Sequence, residues 1–503
     1  MRRCFSMELI VETKTGKVKG TEVAEGIYAW FAIPFAEPPI GNLRFKRAQP
    51  IEPWKGIKDC TTLGNDPIQF IGALPNENED CLNLNIWAPK NAYKLPVMVW
   101  FYGGGFHYGF KNDPSYDGTN MAKKGVIRVN INFRLGPLGY YDFNQFGKSF
   151  DTNCALSDQI EGLKWVKENI EAFGGDPNNI TIFGESGGGC AVYNLLASPA
   201  SRGLFHKAIV QSGLPRLSGT RKFTKIIIPK FLDYIGIKPE KVAQLKNIDV
   251  AKIKEVGSKF YNDIPKLYEG IFMPGPFFGD DLLPERPWIA IKNGSARGID
   301  VILGYNRDEG DTFVYSSEHV QAWFPSWDIV EKMLRNNSKE KYYKELKEAY
   351  SHFKTEYEQL SHFVTDYLFA IDLFRCANEQ VNYGNVWVYR FDFVPHLYKQ
   401  MNMGAVHAVE IPFALDTTDR GYFSYALKGT PKEQIDNIKN QINRAWINFV
   451  KTGNPNDDFI TWPQYQSENG IVHIFDLTPS NQNIGVDERI THIWDEIGFL
   501  YDE

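Results

Sequence analysis

The chain has 503 residues, 43% hydrophobic, 23% charged and 14% aromatic, with a formal net charge of -6. That composition excludes wholesale disorder. The acidic balance and the scattered Lys and Arg argue against a nucleic-acid partner, which needs a concentrated basic surface. At the N-terminus the apolar run Cys4–Met7 is cut off by Glu8. A secretory signal needs roughly 7–15 uninterrupted apolar residues, so none is expected. Met7 is a candidate start, since the first strand pattern begins there. No stretch approaches the roughly 20 apolar residues of a membrane span, and the expectation is a soluble, cytoplasmic protein. Pro96–Phe101 is a short, fully apolar run ending in glycines, and Val126–Ile131 is β-branched and alternating; both predict strands. Leu156–Phe173 has helical spacing and closes on Gly174 and Gly175. Ile180–Phe183, Ala208–Val210, Asp300–Leu303 and Val386–Tyr389 read as further strands. Strands separated by helices predict a parallel sheet with helices on both faces. The stretches of about 220–290 and 325–380 are charged, helix-patterned and poor in glycine, and are expected to be helical insertions around the sheet. With no repeat and no linker between them, residues 1–503 are expected to form one domain.

The six cysteines, at 4, 60, 81, 154, 190 and 376, are too few and too dispersed for a disulfide scaffold. They form no CxxC pair and no Cys/His cluster with zinc-ligand spacing, so no metal is expected. Most are expected to be buried free thiols in a reducing compartment.

The sharpest chemical signal is Phe183-Gly-Glu-Ser-Gly-Gly-Gly189, a Gly-x-Ser-x-Gly sequence between a predicted strand and a helical pattern. A tight strand-to-helix turn holds Ser186 in a strained conformation, and the flanking glycines let neighbouring backbone approach. The second signal is Trp100-Phe-Tyr-Gly-Gly-Gly-Phe106 after another strand. Its glycines expose backbone N–H groups that can stabilise an oxyanion. A phosphate loop would require Gly-Lys-Ser/Thr, which is absent. A serine nucleophile needs a base, and the base needs an acid. The order serine, acid, histidine leaves His319, His352, His362, His396, His407, His473 and His492 as bases. Most lie in charged helical stretches or near the C-terminus. His407 stands apart, in a loop of small residues after a strand. The acid candidates are Asp308 and Glu309, adjacent in Gly304–Gly310, and spacing leaves both open.

The sequence resembles the type-B carboxylesterases, the carboxylesterase/cholinesterase branch of the α/β-hydrolases. The likeness rests on Phe31–Pro39 with Leu43–Phe45, Glu79–Trp87, Asn132–Gly139, Leu163–Pro177, and Trp446 and Phe449 before Thr452–Pro455, and so spans nearly the whole chain. It is similar in flavour to the bacterial members. The resemblance implies an α/β-hydrolase fold and a serine carboxylic-ester hydrolase. It makes Ser186 the nucleophile, His407 the base and Glu309, not Asp308, the acid. Gly104, Gly105 and Gly187 become the oxyanion donors. Gly187 stands where the family usually has Ala, an exchange a backbone donor should tolerate. Glu185 and Ser212 match residues that support the triad. Arg44 with Glu79, and Arg134 with Asp176, match structural ion pairs.

Departures carry information too. Tyr102 opens the oxyanion loop where many bacterial esterases have His. Cys81 matches a family cysteine whose usual disulfide partner falls near Pro67-Ile68, while Cys60 is out of register, so the disulfide is expected to be missing. No Trp lies between Trp54 and Trp87, which argues against the cation–π grip on a choline ester. The implied partner is a small-molecule ester, apolar or aryl, in a pocket rimmed by the helical insertions, with no cofactor. The expected assembly is a monomer or weak homo-oligomer. Triad residues alone leave amidase and lipase activity as alternatives, and a catalytically silent binding module would ordinarily lack one of them.

Overall fold

The apolar runs of the sequence become a sheet covered on both faces. The structure, a computed structural model, describes residues 9–267, 274–315 and 323–500. Among them the strands are β1 (Ile10–Thr13), β2 (Gly16–Lys19), β3 (Thr21–Ala24), β4 (Ile27–Pro34), β5 (Ile57–Asp59), β6 (Asn83–Pro89), β7 (Leu95–Phe101), β8 (Ile127–Ile131), β9 (Gly175–Glu185), β10 (Lys207–Gln211), β11 (Asp300–Asn306), β12 (Val386–Phe391), β13 (Ile471–Phe475) and β14 (Ser480–Asn483). β1, β2 and β5 make a small sheet, and the rest form one sheet in the order β14-β13-β12-β11-β10-β9-β7-β8-β6-β4-β3. From β8 across to β13 every neighbouring pair is parallel. The flanking pairs at both edges are antiparallel. This is the α/β-hydrolase architecture.

The order β8-β7-β9 places a switch in winding direction at β7. The chain leaves β7 for β8 on one side, then crosses through the helix Cys154–Asn169 to β9 on the other. A crevice opens beyond the carboxyl ends of strands at such a point. It receives the loops that follow β7 and β9, which carry the two glycine-rich motifs.

The predicted strands of the parallel block are all present, because a sheet buried on both faces selects apolar runs. In β8 the polar positions of the alternating pattern are buried as well. The Arg128 guanidinium stacks 4.4 Å from the Phe183 ring centre and 5.4 Å from that of Trp100. The helix expected over 156–173 runs from Cys154 to Asn169, tightens to a 3-10 turn over Ile170–Phe173, and stops at Gly174, whose φ is 83°. The outer strands were not visible in the sequence pattern. β14 is a short polar segment that becomes a strand only by pairing with β13. Residues 221–267 and 327–380 carry several helices, among them Arg221–Ile235, Val250–Leu267, Trp327–Asn336 and Ile371–Gln380.

Arg44 and Glu79 pair as expected, Nε donating to Oε1 at 2.6 Å. The expected Arg134–Asp176 pair does not form. Arg134 instead binds Asp158 through Nε at 2.9 Å and Nη2 at 2.6 Å, both side chains buried. The topology explains the correction. Arg134 follows the carboxyl end of β8, whereas Asp176 opens β9 at the opposite edge of the parallel sheet. Asp176 accepts from its neighbour Asn178 N at 2.8 Å. Cys60, Cys81, Cys154, Cys190 and Cys376 are buried free thiols, and Pro67 and Ile68 do face Cys81 across a small gap. Cys4 and Met7 lie outside the described residues. Among the described residues no helix is long and apolar enough to cross a membrane.

Candidate active site

β9 ends at Glu185, and the helix Gly187–Ala197 begins one residue after Ser186. Ser186 makes the turn at φ 55°, ψ -120°, a conformation L-residues avoid. Its N–H donates to Gln211 O at 3.0 Å, and its carbonyl accepts from Cys190 N at 2.9 Å. The surrounding glycines are sterically required. A methyl on Gly184 would lie 2.5 Å from Gly188 O, and one on Gly188 would lie 1.9 Å from Phe101 O. The strained serine is therefore held by close backbone packing of β9, β7 and the helix.

The candidate acid Glu309 comes from the turn after β11, and His407 from the connection between β12 and β13. Glu309 Oε2 lies 2.5 Å from His407 Nδ1. Its other oxygen accepts from Ser212 Oγ at 2.5 Å and from Asn306 N at 2.7 Å. Glu309 and Ser212 are fully buried. Asp308 points away from the imidazole, accepting from Ala405 N at 2.8 Å. The geometry thus separates the two adjacent carboxylates that spacing could not. Phe313 and Phe369 flank the His407 ring at 5.5 Å and 5.1 Å between centres. His352, His362 and His473 are engaged elsewhere, with Ala349 O, the Phe353 ring and the Trp462 ring. His396 and His492 are exposed, and His319 lies outside the described residues.

His407 Nε2 lies 3.2 Å from Glu185 Oε1. Burial disfavours the imidazolium, but Glu185 and Glu309 more than offset this and push the ring up to about 9. Burial also holds Glu185 well above the usual carboxylate range. A third carboxylate, Glu410, was missed in the sequence. It accepts from Asn306 Nδ2 at 2.7 Å and from Gln211 Nε2 at 3.1 Å, and burial raises it too.

After β7, Tyr102 stacks on Phe133 at 4.3 Å, and its hydroxyl donates to Phe133 O at 3.1 Å. Gly104 follows at φ 117°, where a methyl would lie 2.2 Å from Tyr108 O. The loop amides converge on the helix start: a methyl on Gly187 would sit 3.3 Å from Gly105 N, 3.5 Å from Phe106 N and 3.6 Å from Gly104 N. Gly104, Gly105 and Gly187 are thereby brought together beside Ser186. His107 is a second residue the sequence did not single out. Burial pushes it down to about 4, so the ring is neutral, with Nδ1 3.0 Å from Gly105 O and Nε2 3.3 Å from Tyr141 Oη.

Ser186, Glu185, His407, Gly104, Gly105 and Gly187 all line one cavity of about 380 Å³. Its walls are largely aromatic, from Tyr108, Tyr116, Tyr261, Phe313, Trp323 and Phe423. The expected rim of helical insertions is only partly realised. Residues 221–267 contribute Tyr261, whereas the described part of 325–380 packs behind the site, as Phe369 does, because its apolar faces are spent on the core. No group of His, Cys, Asp and Glu among the described residues is arranged to hold a metal ion.

A strained serine, a buried Glu–His pair and converging N–H groups around one aromatic cavity can perform acyl transfer. The sequence model of the carboxylesterase family matches residues 7–494. The para-nitrobenzyl esterase of Bacillus subtilis (strain 168) is 36% identical over 490 residues, covering 94% of this chain and 96% of the relative. Phenmedipham hydrolase of Pseudarthrobacter oxydans is 31% identical, covering 92% and 94%. A solved thermophilic PNB esterase superposes with a TM-score of 0.86 at 33% identity, over 97% of this chain and all of that one.

Proposed function

Because the chain belongs to the carboxylesterase family and is a carboxylic-ester hydrolase, we propose that Ser186, His407 and Glu309 carry the reaction. The observation behind this reading is the 2.5 Å contact of Glu309 with His407 Nδ1, in the cavity that also holds Ser186. Glu309 orients the imidazole through Nδ1, and Nε2, which lies 3.2 Å from Glu185 Oε1, acts as the base in the neutral ring. Ser186 Oγ attacks the ester carbonyl, and His407 accepts its proton. The Gly104, Gly105 and Gly187 amides stabilise the oxyanion, each contributing about 3–4 kcal/mol. His407 then protonates the departing alcohol, and water activated by the same ring releases the acid. No step draws on a cofactor. The aromatic walls suit an apolar or aryl ester, and the names of the para-nitrobenzyl and phenmedipham hydrolases point the same way for those relatives. The buried free thiols favour a reducing compartment such as the cytoplasm, and we read the protein as a monomer or weak homo-oligomer.

The test is hydrolysis of a para-nitrophenyl ester by the purified protein and by Ser186→Ala. Loss of at least about 10³-fold in kcat is expected. Near-native turnover by the variant would sink the mechanism.

A further inference from the structure

The loop that carries His407 has no regular structure between the helix His396–Gln400 and the short helix Ile411–Ala414. Something outside the loop must therefore hold its backbone. Besides local bonds such as Met403 N to Tyr398 O and Val409 N to Val406 O, the residues around His407 are held by the end of β11 and the turn that carries Glu309. Asp308 Oδ2 accepts from Ala405 N at 2.8 Å, and Asp308 N donates to Ala405 O at 3.1 Å. Asp311 Oδ2 accepts from Gly404 N at 2.7 Å. Asn306 Nδ2 donates to Val406 O at 2.8 Å. Arg307 fixes the Asp308 carboxylate in turn, Nε donating to the same oxygen at 2.9 Å. Gly404 passes so close that a methyl there would lie 1.9 Å from Asp308 Oδ2.

We propose that Asp308 is a positioning residue, which with Asp311 clips the histidine loop to the acid-bearing turn so that Glu309 and His407 move as one body. The inference rests on the reading of Glu309 and His407 as acid and base. Ala405 is fully buried, so its N–H must find an acceptor inside the protein. A carboxylate acceptor makes the stronger, charge-assisted bond. Displacing an imidazole by about 1 Å can cost on the order of 10²-fold in rate. Asp308 acts here as an acceptor of backbone hydrogen bonds, not as a charge on the imidazole.

That distinction sets the test, steady-state kinetics on a para-nitrophenyl ester with thermal midpoints measured alongside. Asp308→Ala is expected to lower kcat by about 10- to 100-fold with KM little changed. Asp308→Asn keeps an oxygen acceptor and is expected to recover most of that loss. Glu309→Gln should lose far more, and a Glu309→Gln enzyme with native kcat would refute the triad reading instead. The clip is overturned if Asp308→Ala keeps native kcat, or if Asp308→Asn falls as far as Asp308→Ala. Should Asp308→Ala not fold, Gly404→Ala displaces the carboxylate from the other side. It is expected to lower kcat by about 10- to 100-fold with KM little changed; native kcat in a folded Gly404→Ala enzyme would also overturn the proposal.

Discussion

Three buried carboxylates crowd one imidazole, and they do so unequally. Glu309 accepts from Ser212 Oγ and Asn306 N and meets His407 Nδ1. Glu410 is held by two side-chain amides, and Glu185 meets His407 directly. A base must be neutral to take the serine proton, so activity falls as pH drops through the His407 value. Burial lowers that value, and Glu185 is the first group that raises it. Burial raises Glu185 itself, and where it is ionised beside the imidazolium Glu185→Gln removes that anion and lowers the His407 pKa. The acid limb of the kcat/KM–pH profile is therefore expected to move to lower pH. An unmoved limb, or one shifted upward, would show that Glu185 carries no charge there. Ser212 and Glu185 were legible in the sequence through family likeness. Glu410 and His107 were not singled out, because a buried polar residue looks like an exposed one until its neighbours are known.

The element that defines the site is the strand–turn–helix around Ser186. Its glycines are not interchangeable. A methyl on Gly188 meets the Phe101 carbonyl oxygen at 1.9 Å, inside the contact between β7 and the helix, where only backbone could give way. A methyl on Gly187 meets nothing closer than 3.3 Å. Gly188→Ala is therefore expected to cost at least the roughly 1–3 kcal/mol of an overpacked core and to lower soluble yield and thermal midpoint sharply. Gly187→Ala should leave both near native. Equal thermal midpoints for the two variants would contradict this account. The Gly-x-Ser-x-Gly spacing marked this turn in the sequence, since it records a steric requirement at fixed offsets. Arg134 shows the opposite case. Its partner was sought at Asp176, but only the parallel direction of β8 and β9 reveals that Asp176 sits at the far edge and that Asp158 lies within reach.

At the scale of the whole molecule, Ser186, Glu309 and His407 follow β9, β11 and β12, strands that share one sheet, with β10 and Ser212 between them. A parallel sheet brings the carboxyl ends of its strands to one edge, which is why residues far apart in the chain meet there. The same burial shields the thiols. It pushes Cys60, Cys154 and Cys190 up to about 12. All five cysteines of the described residues are free and buried, so they are expected to resist a thiol reagent such as Ellman's until denaturant is added. Rapid labelling of more than the single remaining cysteine, Cys4, would contradict that packing. The sequence by itself determined the fold class, the strained serine turn and the glycine loops, because buried strands, tight turns and exposed amides each demand particular residues at short, fixed spacing. Only the tertiary structure separated Glu309 from Asp308 by contact, brought Glu410 and His107 into the site, and replaced Asp176 by Asp158. Those choices depend on direction and distance between segments remote in sequence, which no local pattern encodes.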